Sequence, residues 1–76
     1  MEYKRDVETG KENIMTQLKI LRLQHQWTQQ YVSDIIGITK AAYSNIENGN
    51  RNPSLKVALH LQNIFGLQIE KLLEKQ

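Results

Sequence analysis

TQQYVSDIIGITKAAYSNIENGNRNPS, residues 28–54, is the stretch whose reading decides the fold. Thr28 has the side chain of a helix N-cap, whose hydroxyl accepts a free N–H of the first turn. Val32 and Ile36, four apart, form the inner face of the helix it opens, and Gly37 supplies the left-handed residue that ends it. Thr39 caps a second helix from Lys40 to about Glu47, with Tyr43 and Ile46 inward and Lys40, Ala41, Ser44 and Asn45 outward. Asn48, Gly49 and Asn50 form a turn cluster, Pro53 breaks regular structure, and Ser54 caps the next helix. Two short helices on a glycine turn are the minimal scaffold for laying one helix in a DNA major groove.

Upstream, Trp27 and Val32 have the spacing of a hydrophobic staple across the Thr28 cap. That makes Trp27 a core wedge at the corner between helices one and two, with base stacking the lesser alternative. The helical period begins near Asn13, a candidate cap. Ile14, Leu18 and Leu21 share one face, while Ile20 and Leu23 lie on another stripe as exposed aliphatics that an arm or a second subunit could meet. Residues 1–13 lack an apolar face and are expected to form an arm, leaving residues 14–76 as the domain. Met15 opens a phrase that can itself serve as a start site. Downstream, helix four is expected to bury Leu55, Ala58, Leu61 and Phe65 and stop at Gly66, and a short fifth helix from about Gln68 to bury Ile69, Leu72 and Leu73. The expectation is an all-α domain of five helices with no strand.

Bulk properties exclude several classes. A 76-residue chain is one domain and buries only roughly 60% of its unfolded surface, so a partner subunit would help it. With no cysteine it has neither a disulfide framework nor a thiolate metal site. No apolar run reaches membrane-spanning length, and the N-terminus lacks the apolar centre of a signal peptide, so a cytoplasmic location is expected. His25 and His60 lack ligand neighbours at metal-site spacing. Asp34, Glu47, Glu70 and Glu74 form no acid/base pair, and Ser33 and Ser44 lack a base and an oxyanion scaffold. No enzyme, cofactor or small-molecule ligand is expected. The net charge is +2. Residues 1–14 contribute −1, from Glu2, Asp6, Glu8 and Glu12 against Lys4, Arg5 and Lys11, so the remainder carries +3. That is compatible with phosphate binding.

From about Leu18 to Leu73 the chain resembles the Cro/phage-repressor-like helix-turn-helix family, also called the xenobiotic-response-element family. The resemblance rests on Leu18-x-x-Leu21-Arg22, Thr28-Gln29, Gly37-Ile38-Thr39, Ile46-Glu47-Asn48-Gly49 and Asn52-Pro53-Ser54-Leu55, in that order and spacing. It implies that Lys40, Ala41 and Asn45 face base edges, with Ser44 beside them. It implies that Gln29 touches the DNA backbone or helps to hold the recognition helix, and that Thr39, Asn48, Arg51 and Asn52 meet phosphates. It also implies that Arg22 and Glu47 pair, tying helix one to the end of helix three. Three residues depart from the pattern: Ser33 replaces alanine, Tyr43 an aliphatic residue and Gln62 a small apolar one. The Tyr43 hydroxyl is then expected to reach the surface or a partner, the Ser33 hydroxyl to bond back to a carbonyl, and Gln62 to line a subunit contact or loosen local packing.

The side chains agree with duplex DNA as partner. Lysine donates to guanine O6 and N7, asparagine pairs bidentately with adenine, and alanine offers apolar contact with a thymine methyl. Direct readout is thin, so a homodimer on two half-sites, acting as a repressor, is the expected arrangement, with helix five and its preceding loop as the contact that the resemblance suggests. The rival expectation is an antitoxin-like or antirepressor-like module that binds protein, favoured by Ala41 and Ala42 and by the aliphatics Ile20, Leu23 and Ile35.

Overall fold

Helix boundaries fall where a side chain or a glycine meets backbone groups that a helix end leaves unpaired. The computed structural model describes residues 15–75. Within them run α1 Gln17–Gln24, α2 Gln29–Ile36, α3 Lys40–Glu47, α4 Leu55–Phe65 and α5 Ile69–Leu72. Thr28, Thr39 and Ser54 are the N-caps expected of them, accepting from the N–H groups of Tyr31, Ala42 and Val57. Gly37 and Gly66 end α2 and α4 in the left-handed region. The arm, with Asn13 and Ile14, lies outside the described residues. The cap of α1 is Thr16 rather than Asn13. Its hydroxyl accepts from Lys19 N–H at 3.2 Å and donates to the Glu47 carbonyl at 2.8 Å, so one buried group serves α1 and the end of α3 together.

The core is Leu18, Val32, Ile36, Tyr43, Ile46, Val57, Leu61 and Leu72, one or more from every helix, with Leu21, Trp27, Ile64, Phe65, Ile69 and Leu73 packed around it. Leu55 corrects the expected face of α4: it is 76% exposed, and Val57 is buried instead. The inward stripe of α4 is centred on Leu61 and takes in Val57, Ala58 and Phe65, and Leu55 falls off its edge in the first turn. Ile20 and Leu23 are half-buried rather than exposed. The chain closes where Gln17 N–H donates to the Glu74 carbonyl at 2.8 Å, beside a single antiparallel bridge between Thr16 and Lys75. No helix among the described residues is long and apolar enough to cross a membrane.

Two of the unusual residues find local partners. The buried Ser33 hydroxyl donates to the Gln30 carbonyl at 3.0 Å. Gln62 accepts the Ile69 N–H on its Oε1 at 2.9 Å. The α5 N-cap residue, Gln68, makes no side-chain capping bond, so α4 caps α5 from the side. This gives Gln62 a structural use that its sequence position did not indicate.

Gly37 has φ 78°, and a Cβ built there would meet nothing within 4 Å. The whole cost of a side chain is therefore conformational, about 1–2 kcal/mol. Gly37→Ala is expected to lower the melting temperature by roughly 5–10 °C, and Gly37→Asn by less, in thermal melts followed by circular dichroism.

Candidate nucleic-acid interface

Arg22, on the last turn of α1, holds the site together. Its Nε donates to Glu47 Oε2 at 2.7 Å and its Nη2 to Glu47 Oε1 at 3.1 Å, a two-pronged pair. Its Nη1 donates to the Trp27 carbonyl at 2.7 Å, and its own carbonyl accepts from the N–H groups of His25 and Trp27. The α1–α2 corner is thus folded around one arginine, and Gln26 is held there at φ 63°. Gln29 adds a third bond to the carboxylate, from Nε2 to Glu47 Oε1 at 2.9 Å. Gln29 thus ties the start of α2 to the end of α3.

Both charges are out of water: the side chains of Arg22 and Glu47 are 8% and 0% exposed. Burial pulls the guanidinium pKa down, but the hydrogen-bonded Glu47 carboxylate outweighs it and leaves Arg22 above its ordinary value. Tyr43, one turn before Glu47 on α3, is fully buried, so its hydroxyl does not reach the surface. It lies close enough to the pair to feel both charges, yet has no hydrogen-bond partner of good geometry. Burial first, then the Glu47 carboxylate, raise the phenol well above its usual range. Side chains from α1, α2 and α3 thus fix the base of α3, while Tyr43 and Ile46 anchor its inner face.

The outer face of α3 is open. Lys40, Ala41 and Asn45 are exposed, and Ser44 is half-buried, receiving a 3.4 Å bond from Asn48 Nδ2. Lys40 lies at the rim of a shallow hollow with Thr28, Gln29 and Gln30 at the start of α2. At the other side, Arg51 and Asn52 flank a hollow floored by Ala42 and Ile46, and with Asn48 they are exposed. Thr39 is exposed and its hydroxyl caps α3. Lys40 thus borders the start of α2, and Arg51 and Asn52 border Ala42 on α3. Trp27 is turned away from solvent on one side: His25 stacks on it at 4.3 Å, and Tyr31 and Phe65 pack at 5.4 and 5.7 Å. It wedges the corner, as its spacing predicts.

Sequence reasoning missed Thr16 and the Trp27 carbonyl as members of this framework, and Gln62 as the cap of α5. Thr16 is a cap-type residue one position before α1, but the apolar period running on to Ile14 concealed it. The other two act through contacts that no local pattern records.

Removing one partner from a buried pair strands the other charge, at about 3–5 kcal/mol. Glu47→Ala is expected to lose most of the stability of so small a domain, whereas Arg22→Met with Glu47→Leu, which strands neither charge, recovers the larger part. Tyr43→Phe removes a hydroxyl without a partner and is expected to match or exceed wild type. Chemical denaturation of the three variants checks all of these together.

Comparison with known proteins agrees with this geometry. A helix-turn-helix family model matches residues 18–72. The HTH-type transcriptional regulator AnsR of Bacillus subtilis is 34% identical over 62 residues, covering 82% of this chain and 53% of that protein. YqaE of the same organism, also named an HTH-type transcriptional regulator, is 39% identical over 57 residues, covering 75% and 49%. The chain thus spans about half the length of these two relatives. The HTH-type transcriptional regulator MJ0272 of Methanocaldococcus jannaschii is 34% identical over 55 residues, covering 72% of this chain and 83% of that protein. Among solved structures, the restriction-modification controller protein C.AhdI from Aeromonas hydrophila superposes with a TM-score of 0.63 at 25% identity, covering 74% of this chain and 85% of that one. The anchored α3, its open outer face and these matches together place the chain in the Cro/repressor-like helix-turn-helix family of DNA-binding transcriptional regulators.

Proposed function

We propose that this protein binds duplex DNA as a homodimer, with α3 in the major groove, and represses transcription from a site of two half-sites. The observation that carries the reading is the contrast between the faces of α3. Its inner face is fixed by Tyr43, Ile46 and the Arg22–Glu47–Gln29 cluster, and its outer face presents Lys40, Ala41 and Asn45 with no covering element among the described residues. A recognition helix needs both, because side chains reach base edges reproducibly only from a rigid base.

Within this reading, Lys40 reaches guanine O6 and N7 or a phosphate, and Asn45 meets adenine. Ala41 and Ser44 supply close approach. The first-turn N–H groups of α2 and α3 favour phosphates, and Arg51, Asn52 and Asn48 grip the backbone from the far side. Because Gln29 is bonded to Glu47, its contribution to affinity is mainly to orient α3. The protein-binding alternative has less support than its three aliphatics suggested. Ile20 and Leu23 are half-buried, and Ile35 alone of them is exposed.

The test is binding to random-sequence duplex DNA across a salt titration, with wild type beside Lys40→Ala plus Arg51→Ala. Each phosphate contact contributes about −0.9 to the slope of log K against log salt. Wild type is expected to lose affinity steeply with salt, and the double variant to bind more weakly with a slope shallower by roughly 1–2. Absence of binding by wild type at low salt would remove the DNA reading and leave the protein-partner one.

A further inference from the structure

Resting on the reading of α3 in the major groove, we propose that Lys75, in the segment after α5, binds a DNA phosphate beside the 48–52 loop. A Cβ built on Gly49 would stand 3.0 Å from Lys75 Cε and 3.2 Å from its Nζ. The end of the lysine therefore lies against bare backbone, one residue past the C-cap of α3, where any larger side chain would displace it.

Backbone bonding holds the lysine there. Lys75 pairs with Thr16 in the isolated antiparallel bridge, and Gln17 N–H donates to the Glu74 carbonyl at 2.8 Å. Thr16 in turn donates its hydroxyl to the Glu47 carbonyl at 2.8 Å. The C-terminal segment is thus tied to the start of α1, and the start of α1 to the end of α3. Thr16 and Lys75 both lie outside residues 18–72, the stretch shared with the family, so the resemblance gives neither of them a role.

The charges around Lys75 leave its ammonium available. Residues 48–54, NGNRNPS, contain no carboxylate. Glu47 is buried on Arg22, and Glu74 lies 3.8 Å from Lys71. Lys75 is exposed and has no ion-pair partner among the described residues. A helix C-terminus carries about half a negative charge, which by itself repels phosphate. An ammonium at this end of α3 offsets that charge, and its three N–H donors suit a phosphate oxygen.

The length of α3 brings phosphates within reach. The helix has eight residues, so it is about 12 Å long, and the major groove of B-DNA is about 12 Å wide. Laid across the groove, such a helix has a phosphate strand at each end. Lys40 and the start of α2 meet one strand, and Arg51 and Lys75 meet the other. An ammonium that only offset the helix charge would stabilise the fold without changing how DNA binding responds to salt.

Lys75→Gln, Lys75→Arg and Lys71→Gln, the last removing a charge one turn away, are compared with wild type on random-sequence duplex across a salt titration and in thermal melts. Lys75→Gln is expected to bind more weakly at low salt, with a slope shallower by about 0.9 and an unchanged melt. Lys75→Arg and Lys71→Gln are expected to keep the wild-type slope. In wild type, acetylation by an N-hydroxysuccinimide ester, read by mass spectrometry, is expected to slow at Lys75 but not at Lys71 when duplex is added.

A wild-type slope in Lys75→Gln, with or without a lowered melt, leaves Lys75 a structural role only and overturns the inference. An equal loss of slope in Lys71→Gln, or acetylation of Lys75 unaffected by duplex, overturns it as well. Should Lys75→Gln not fold, the acetylation pattern decides. A steep wild-type slope flattened by Lys40→Ala plus Arg51→Ala upholds the DNA reading even where Lys75 fails, whereas absence of wild-type binding removes both.

Discussion

The orientation of α3 depends on one buried ion pair. Arg22 and Glu47 lie 25 residues apart in the chain and are joined by two short bonds. Buried pairs of this kind add little net stability over a well-packed apolar alternative, because desolvating two charges costs about what their attraction returns. Their effect here is positional. A carboxylate that accepts from both prongs of a guanidinium, with Gln29 donating to one of its oxygens, can occupy only one place, and the end of α3 goes with it. Apolar packing through Tyr43 and Ile46 tolerates small rotations of the helix; this bonding does not.

The framework around that pair uses each polar group more than once. Arg22 also binds the Trp27 carbonyl and so sets the corner between α1 and α2. Thr16 caps α1 and binds the Glu47 carbonyl. A domain of this size has few core side chains with which to define a unique arrangement, and directional bonds between elements supply what packing volume does not. The Tyr43 hydroxyl is the exception. It occupies the same buried region with no hydrogen bond of good geometry, so its oxygen is desolvated with little return beyond the nearby charges of Arg22 and Glu47.

The same economy leaves the surface free to act. The caps Thr28 and Thr39 satisfy one N–H each at the starts of α2 and α3, and the other first-turn groups remain directed outward. Lys40, at the start of α3, and Arg51, in the loop that follows it, are both exposed. On the proposed reading, substitution on the outer face changes what is bound rather than whether the domain folds, which is how one scaffold can address different sites.

Much of the fold was legible in the sequence because its signals are local. Thr28, Thr39 and Ser54 are caps, Gly37 and Gly66 are left-handed stops, and the bounds of α3 follow from Thr39 and the Asn48-Gly49 turn. The pairing of Arg22 with Glu47 was legible only through the family resemblance, since nothing in their spacing indicates it. What the tertiary structure alone decided are contacts between elements. Leu55 is exposed because the stripe of α4 that meets the core is centred on Leu61, and an apolar residue in a first turn carries no mark of which side will be covered. Gln62 caps α5 because the chain reverses at Gly66 and brings Ile69 N–H to it. Thr16 joins α1 to the end of α3 across 31 residues. Helix starts and stops depend on a residue and its few neighbours, and the sequence determines them; which face is buried, and which distant donor meets which acceptor, depends on how the helices cross.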